Sequence, residues 1–484
     1  MIIATIPHSR LDPGNELARD YVLRPEKVLG LFGCDYRDPR ALAPLLDAQA
    51  RAERPSLASS LSAYNREVGG SVENAARIDD AFCVVSGQQV GLLYGPAYTT
   101  YKLFTLVNAA RVLSDELRVP VVPVFWIESE DHDWAEVNRF FWADRRFRIE
   151  EEVPAGLPLS RVEVDPAAFL AEVRAELGGD DDVWALVKPE RAVARWHARN
   201  LARLVAGTGV VFVEPALLKE PMRPLAERIA GAADALDASL ARETGYPRRL
   251  QPPGGGYLFD AAGGRRRAER GAMPEEWSTD VVSRVLVQNA AFRVLAAVCG
   301  PAEIDYWSQL KGAHEALGIE MPAVLPRDSA TLVEAGIAKD AAKLGLDLEE
   351  VVLGTAAPPE PGGEDAIAAR LRRLAKEGAA LAAALDQGSL DLPPNAERPF
   401  RRTVGRLEAD LEKLALRIDD ARAEAAGAGR RRYDRVLKEL RPRGRLQERT
   451  HSLFPYLVRH GPDLARRLRE SFDPFEFGHY LVQL

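Results

Sequence analysis

One short segment of the chain sets a histidine among several acidic side chains. Residues 128–138 read ESEDHDWAEVN and follow directly on an apolar run. His132 between Asp131 and Asp133 is typical of a general base whose tautomer a carboxylate holds. The same acids, Glu130 among them, could instead bind a hard cation such as Mg²⁺, or form the acidic first turn of a solvated helix. The residue types leave these three readings open.

A second segment, residues 86–102, reads SGQQVGLLYGPAYTTYK and is rich in glycine. Glycines let a backbone turn tightly and approach a ligand closely, and the start of a following helix favours anions. Alternatively, the segment has no ligand, the glycines only make a tight turn, and the glutamines are exposed to solvent. The candidate ligand-binding residues here are Gln88, Gln89, Gly95, Thr99 and Lys102.

A third segment, residues 299–311, reads CGPAEIDYWSQLK. Glu303 and Tyr306 fall at helical spacing, and Gln309 lies three residues after Tyr306, so the three side chains could face one crevice. The three cysteines of the chain occur singly, without a C-x-x-C pair. We therefore expect neither a disulfide framework nor a thiolate zinc site, and a reducing cytoplasm is the default.

Each of these segments follows an apolar run that predicts a strand. The runs are 81–85, closed by a Ser-Gly pair, then 121–127, 210–213, 294–299 and 323–325. Apolar residues at helical spacing up to about residue 117 predict a helix between the first two runs, which makes a parallel pair with a right-handed crossover. Ligands bind beyond the carboxyl ends of parallel strands, so we expect the three segments to share one crevice.

The remaining sequence predicts insertions and a helical arm. Residues 135–205 and 216–280 look like mostly helical insertions, with a Pro/Gly-rich loop at 251–264 that holds a short strand pair at best. Residues 364–428 carry two heptad-patterned tracts joined by about ten residues, which predicts an antiparallel helical hairpin. Its narrow apolar stripes suit a helical partner and favour a homodimer, although such an arm can equally be a plain scaffold.

Composition excludes several classes of protein. The 484 residues allow two to four domains, and 46% hydrophobic with 28% charged residues is typical of a globular chain rather than a disordered one. A net charge of −8 argues against a wholly basic nucleic-acid binder. We see no signal peptide, and the best apolar stretch is too short for a membrane span. The basic run at 430–449 could hold a polyphosphate or an acidic partner, or be a solvated helix face.

Familiar catalytic motifs are missing from the sequence. No G-x-G-x-x-G or H-x-G-H follows a strand, and there is no G-x-x-x-x-G-K-[ST] loop, H-x-x-x-H pair or G-x-S-x-G elbow. The chemistry therefore has to be sought in the segments that follow the strands.

Taken together, these segments resemble the cysteine ligase family of bacillithiol biosynthesis. The matching blocks are SGQQVGLLYGPAYTTYK, VPVVPVFWIESEDHDWAEVN, CGPAEIDYWSQLK, MPAVLPRDS and LQERTHSLFPYL, in this order from about residue 83 to 457. Ser86 stands where we expect threonine in many members, and the hydroxyl is kept. The resemblance implies an α/β fold with a Rossmann-like parallel-sheet core, helical insertions and a long antiparallel coiled-coil arm, in agreement with the residue patterns. We expect the core at 1–345 and the arm at 346–450, and the residues of 451–484 predict a C-terminal segment that packs back on the core.

The resemblance also implies an activity, which joins the carboxyl group of cysteine to the amine of glucosaminyl malate. An amide does not form from a carboxylate and an amine at neutral pH without activation, so ATP, with Mg²⁺ arriving on the nucleotide, is the expected cofactor. Under this hypothesis His132, oriented by Asp131 or Asp133, accepts the proton of the attacking ammonium, and Arg327 pairs with a malate carboxylate. The other expected substrate-binding residues are Gln88, Gln89, Gly95, Thr99, Lys102, Glu130, Glu303, Tyr306 and Gln309.

Two alternatives come from other classes of protein. One is a metal-assisted hydrolase or nucleotidyltransferase that uses the carboxylates of residues 130–133, and it predicts tight stoichiometric metal. The other is a non-catalytic coiled-coil interaction protein, and it predicts no small-molecule binding in the crevice beyond the strands.

Overall fold

The chain forms two compact units in a computed structural model, which describes residues 2–11, 15–143, 145–262, 264–358, 366–386 and 392–484. The first unit comprises Met1–Val333 and Arg445–Leu484, and the second comprises Glu334–Gly444. The expected core ended at residue 345 and the expected return began at 451. The first crossing between the units lies before residue 345, because two short helices after residue 334 belong to the second unit, and the second crossing lies six residues before 451.

Thirteen strands occur in the described residues, and the longest two are eight residues each. They are β1 (Ile2–Pro7), β2 (Phe82–Gln89), β3 (Val121–Glu128), β4 (Arg139–Trp142), β5 (Arg145–Arg148), β6 (Val211–Val213), β7 (Leu258–Asp260), β8 (Arg266–Arg267), β9 (Trp277–Thr279), β10 (Arg293–Cys299), β11 (Ala323–Pro326), β12 (Ser329–Val333) and β13 (Gly478–Gln483).

The α-helices surround these strands in the first unit and make up most of the second. They are α1 (Glu16–Leu23), α2 (Ala43–Arg51), α3 (Ala58–Val68), α4 (Val72–Ala76), α5 (Ala97–Leu117), α6 (Trp134–Val137), α7 (Ala167–Leu177), α8 (Asp181–Trp184), α9 (Val193–Leu204), α10 (Arg223–Gly231), α11 (Ala233–Ala241), α12 (Val281–Ala291), α13 (Pro301–Trp307), α14 (Lys311–Leu317), α15 (Ala335–Lys343), α16 (Leu348–Leu353), α17 (Ala366–Asp386), α18 (Pro394–Leu440), α19 (Phe454–His460) and α20 (Asp463–Ser471). None of the described helices combines the length and the apolar character that crossing a bilayer would need.

The centre of the first unit is a five-stranded parallel sheet in the order β11-β10-β2-β3-β6. Its strands are almost continuously apolar and buried, as expected of a parallel sheet covered on both faces. The chain builds outward from β2 through α5 to β3 and β6, and then returns to place β10 and β11 on the other side of β2. The sheet therefore reverses its direction of growth between β2 and β10, which is where open α/β sheets bind ligands.

The first strand is longer than the sequence predicts. Ser86 and Gly87 were expected to close it, but β2 continues to Gln89 and pairs residue by residue with β3 up to Glu128. Gly87 fits there because it has no side chain: a Cβ at this position would lie 3.0 Å from Cβ of Trp126. The extension carries both glutamines to the rim of the sheet.

The insertions contain more strand than expected. β4 and β5 form an antiparallel hairpin in which Phe140, Trp142 and Phe147 are buried, an alternation that favours strand over helix. The Pro/Gly-rich loop leads into β7, which pairs with both β8 and β9 rather than forming a simple strand pair. The C-terminal strand β13 lies parallel to β12 and antiparallel to β1, so the end of the chain packs within the first unit.

The second unit is dominated by the predicted helical hairpin of α17 and α18. The helices meet through the small side chains Ala368, Ala375 and Ala415, all buried, and Arg372 pairs with Asp419 across the contact. α18 runs on to Leu440, so it includes the first half of the basic run. Residues 364–365, where the hairpin was expected to begin, and the connecting residues 387–391 lie outside the described residues.

Candidate active site

A cavity of about 410 Å³ opens at the carboxyl ends of β2, β3 and β10. It lies where the sheet reverses its direction of growth. Trp126, Val281 and Pro301 supply apolar parts of its wall. The polar side chains of the wall are Gln88, Gln89, Tyr98, Lys102, Glu128, Arg284, Glu303, Tyr306, Arg327 and Arg449. Cations and carboxylates together in a small cavity are typical of a site for polar small molecules.

Local sequence explains how the helices present these side chains. Tyr98 and Lys102 are four residues apart on α5 and so lie on the same face of that helix. α12 begins at a capping box, in which the Asp280 carboxylate accepts hydrogen bonds from the backbone N–H groups of Val282 and Ser283 at 3.0 and 2.9 Å. This cap fixes the start of α12 at the cavity, and Arg284 projects from its first turn into the wall.

The buried Lys102 forms an ion pair with the half-buried Glu303 in the wall. The Lys102 side chain is only 3% exposed, and its Nζ lies 2.5 Å from Oε2 of Glu303. Nζ also donates to the carbonyl oxygen of Gly87 at 3.0 Å and to Oε1 of Gln88 at 2.9 Å. Oε2 of Glu303 further accepts the backbone N–H of Gly300 at 2.7 Å. Because a buried charge needs partners, these contacts hold both side chains in place.

Glu128, the last residue of β3, has a different environment. Its Oε2 accepts the indole N–H of Trp126 at 3.1 Å and lies 3.6 Å from Nε of Arg284. Arg284 in turn donates from Nη2 to the hydroxyl of Tyr306 at 3.0 Å. Burial raises the pKa of Glu128 to about 7, and Glu130 adds to the rise while Arg284 opposes it.

Arg327 reaches the cavity from the end of β11, and buried groups outside the cavity hold its guanidinium in place. Its guanidinium pairs with the buried Glu448 at 2.5 Å, donates to the carbonyl oxygen of Asp328 at 2.8 Å and lies over the Tyr98 ring. Burial raises the pKa of Glu448, but Arg327 and the hydroxyl of Ser329 outweigh it and hold the pKa below the usual range. The pair is therefore fully charged at neutral pH.

Six of the residues expected from the sequence meet in this cavity. They come from the second and third segments and from the end of the fifth strand run, and they are Gln88, Gln89, Lys102, Glu303, Tyr306 and Arg327. Parallel strands deliver their carboxyl ends to one edge of the sheet, and this shared edge brings the segments together.

Four other expected residues are not in the cavity wall. Thr99 is buried, and Gly95 (φ 67°) belongs to a tight turn in which a Cβ on Gly91 would come within 2.9 Å of its Cα. Glu130 pairs with Lys219 at 2.6 Å. The expectation that Gln309 shares the crevice with Tyr306 is corrected: α13 ends at Trp307, and the Gln309 amide instead bonds the backbone of residues 249–250.

The acidic segment lies beside the cavity, with its histidine turned outward. Asp131 accepts a hydrogen bond from the amide of Gln89, and Asp133 caps α6 by accepting from the N–H of Glu136. The backbone of residues 129 and 131 bonds to residues 160 and 159, and the chain then leads His132 to the surface. The His132 side chain is 43% exposed, with Nδ1 3.7 Å from Asp131. Its role as the general base stays a prediction.

No group of three or more His, Cys, Asp or Glu side chains among the described residues is arranged to hold a metal ion. Cys83 and Cys299 are buried, and burial raises the pKa of both thiols, that of Cys83 to about 12. Neither thiol is therefore activated as a nucleophile.

Sequence reasoning missed several residues of the wall. Glu128 is the first residue of the acidic segment, in which the sequence pattern favoured His132 as the base. Arg284 comes from a helix before β10 that no motif marks, and only the tertiary fold brings it to the cavity. Arg449 sits in the basic run and ends a short 3₁₀ turn (Gln447–Arg449). If every polar residue at the carboxyl end of a predicted strand had been taken as a candidate, Glu128 would have been found, but Arg284 and Arg449 would not.

The fold and the cavity define a Rossmann-like α/β protein with a charged small-molecule site at the point where its parallel sheet reverses its direction of growth. Two family models match the chain: "Bacillithiol biosynthesis BshC, N-terminal Rossmann-like domain" over residues 1–242 and 267–328, and "Bacillithiol biosynthesis BshC, C-terminal coiled-coil domain" over residues 330–484. The chain belongs to the bacillithiol biosynthesis BshC family.

Curated relatives match over the full length. A protein of Symbiobacterium thermophilum is 30% identical, and the match covers 99% of each chain. One from Geobacillus thermodenitrificans is 29% identical, with 97% of this chain and 98% of the relative covered. One from Koribacter versatilis is 28% identical, with 97% and 96% covered. All three carry the name "Putative cysteine ligase BshC". The family expected from the strand-end segments is confirmed.

Proposed function

We propose that this chain is the cysteine ligase of bacillithiol biosynthesis, joining the carboxyl group of cysteine to the amine of glucosaminyl malate in the cavity. The observation that carries the proposal is the mixed charge of the wall, which offers cations for carboxylates beside a carboxylate that can take up a proton. Membership of a family whose curated relatives bear the name of a cysteine ligase supports it.

The substrates suit the side chains of the wall. The two carboxylates of a malate group are matched by guanidinium groups, which bind carboxylates with charge-assisted hydrogen bonds. Arg327 is held in place by Glu448, and Arg449 is exposed at the wall. The amides of Gln88 and Gln89 offer donors and acceptors of the kind that sugar hydroxyls need. Specific recognition of glucosaminyl malate is therefore assigned to this wall.

Activation of the cysteine carboxyl group is assigned to ATP, which arrives with Mg²⁺ and supplies a good leaving group. The donor set fits phosphate groups, because the guanidinium groups of Arg327 and Arg449 line one cavity. The ammonium of Lys102 adds positive charge to the wall, although its own N–H groups are taken up by Glu303, Gly87 and Gln88. We place the reaction in the cytoplasm, where cysteine and nucleotide are available and where single cysteines stay reduced.

The reaction is tested by incubating the purified chain with cysteine, glucosaminyl malate, ATP and Mg²⁺, and measuring the thiol product by labelling and mass spectrometry. We expect product only when all components are present. A chain that forms product without nucleotide would contradict the ATP assignment. A folded chain that forms no product with any nucleotide would contradict the ligase assignment.

Arg449 offers a matched pair of variants for the substrate site. Arg449→Gln should raise KM for glucosaminyl malate about 10–100-fold, because a charge-assisted hydrogen bond contributes about 1.5–3 kcal/mol. Arg445→Gln removes another exposed arginine, four residues earlier, that does not line the cavity, so its KM should stay at the wild-type value. Equal KM values for both variants would remove Arg449 from the binding site.

We also propose a homodimer formed through the coiled-coil arm. Six of the ten exposed large hydrophobic side chains of the described residues lie on α17 and α18. They follow heptad spacing in Ile367, Leu374 and Leu381 and again in Leu407 and Leu414. Because the hairpin uses alanines for its internal contact, this leucine-rich stripe is left for a partner of the same kind.

A further inference from the structure

The two carboxylates in the cavity wall differ in what already holds them. Oε2 of Glu303 accepts the ammonium of Lys102 at 2.5 Å and the backbone N–H of Gly300 at 2.7 Å. These contacts already engage Glu303 with a cation and with the start of α13, so its place is to fix Lys102 and the first turn of that helix.

Glu128 is held much more loosely. The neutral indole of Trp126 is its one hydrogen-bond donor among the described residues, and it donates to Oε2. The Nε atom of Arg284 lies 3.6 Å away, beyond a good hydrogen bond, since the Nη2 of the same guanidinium donates to Tyr306. Within the part of the chain that the structure describes, no hydrogen bond reaches Oε1 of Glu128. This oxygen is free to receive a proton from a molecule in the cavity.

We propose that Glu128 is the catalytic base of amide formation, an inference that rests on the proposed ligase function. As the amine nitrogen of glucosaminyl malate attacks the cysteine carbonyl carbon, activated as a phosphoric-acid ester or anhydride, the C–N bond forms. The bond from that carbon to the leaving oxygen breaks, and the phosphate-class leaving group departs with the electron pair. Glu128 takes the proton that the nitrogen loses, so charge and atoms balance.

The surroundings of Glu128 tune it for this step. Arg284 from α12 and Arg265 from the segment before β8 face it with positive charge and lower its pKa. Burial, the largest influence, and the negative charge of Glu130 both raise the pKa and outweigh the arginines. The resulting pKa of about 7 matches the requirement that a general base titrates near the working pH. Tyr306 from α13 completes the group by holding Arg284 away from a direct hydrogen bond to the carboxylate.

The test separates the two halves of the reaction. Glu128→Gln keeps the size of the side chain and removes its basicity. We expect the rate of amide formation with glucosaminyl malate to fall about 10²–10⁴-fold, the usual contribution of a general base. Hydroxylamine is a strong, uncharged nucleophile at neutral pH, and the proton that its nitrogen loses on acylation can pass to water, so formation of cysteinyl hydroxamate in the presence of ATP should remain near the wild-type rate.

Controls make each outcome decisive. Glu227→Gln changes an exposed glutamate on α10 outside the cavity wall and should alter neither rate. A normal amide rate in Glu128→Gln would overturn the inference, and so would an equal loss of amide and hydroxamate in a variant with a normal thermal unfolding curve. Should the glutamine variant not fold, Glu128→Asp withdraws the carboxylate by one methylene, and an undiminished amide rate there would overturn the inference as well. A wild-type chain that makes neither product would refute the ligase function itself.

Discussion

At the scale of single residues, the environment of a side chain outweighs its type. Glu128 and Glu303 are both glutamates in one cavity wall, yet Glu303 accepts the ammonium of Lys102 and the backbone N–H of Gly300, while Glu128 accepts a hydrogen bond only from the neutral indole of Trp126 among the described residues. Burial raises the pKa of Glu128, and a raised pKa suits this carboxylate to the role of a base.

The pH profile follows from this assignment. Because the pKa of Glu128 is raised to about 7, the carboxylate is the main form only above that pH. We expect kcat/KM for glucosaminyl malate to rise with pH through about 7 in the wild type. The amine substrate titrates as well, so the informative measurement is the difference between the profiles of wild type and Glu128→Gln. Superimposable profile shapes would argue against Glu128 as the titrating base.

His132 remains the competing candidate. If it is the general base, His132→Ala should lower amide formation about 10²–10⁴-fold in a folded protein. Its exposed position outside the cavity wall, beside Arg265 at 3.5 Å, leads us to expect a much smaller effect than in Glu128→Gln. Parallel rate measurements on the two variants decide between the two bases.

At the scale of elements, the end of β11 and the 3₁₀ turn at Gln447–Arg449 are joined by one buried ion pair. Arg327 and Glu448 are 6% and 1% exposed in their side chains, and the second oxygen of Glu448 accepts the hydroxyl of Ser329 at 2.9 Å. The chain leaves the first unit after Val333 and returns at Arg445. This pair therefore holds the returning chain against the sheet and fixes the position of the Arg327 guanidinium in the cavity wall.

Loss of that pair should cost stability as well as activity. Glu448→Gln leaves the guanidinium of Arg327 buried without a counter-charge, for which we expect about 3–5 kcal/mol lower free energy of unfolding. Asp463→Asn breaks an exposed pair with Arg466 and should leave the denaturation midpoint unchanged. Chemical denaturation of both variants is the measurement. Equal denaturation midpoints would show that the buried pair does not stabilise the fold.

At the scale of the whole molecule, the helical arm leaves a row of apolar side chains uncovered in the described residues. The arm buries alanines between α17 and α18 and exposes Leu374, Leu381, Leu407 and Leu414 by 41–53%. Apolar stripes at heptad spacing in water favour pairing with another helix. The homodimer is therefore argued from what the hairpin leaves uncovered.

Light scattering tests the dimer. We expect removal of residues 364–428 to yield monomers, and the double variant Leu374→Glu with Leu414→Glu to weaken association because each carboxylate would be buried without a partner. Lys413→Gln, which changes the net charge by the same amount as each leucine substitution but lies off the stripe, should leave the dimer intact. An unchanged molar mass after the deletion would exclude the arm as the contact.

The sequence by itself determined the class of this protein, because local hydrophobic periodicity is enough to predict its strands and its helical arm. Buried parallel strands read as apolar runs, heptads read as paired helices, and polar residues after strands marked three of the segments that line the cavity. Tertiary structure alone decided which residues of those segments face the ligand. Gln309 bonds to the backbone of another loop because α13 ends before it. His132 faces solvent because its loop is bonded to residues 159–160. Arg284 lines the cavity although the helix that carries it contains no recognisable motif. The burial and hydrogen bonding that distinguish Glu128 from Glu303 likewise depend on contacts between residues far apart in the chain, which no local pattern encodes.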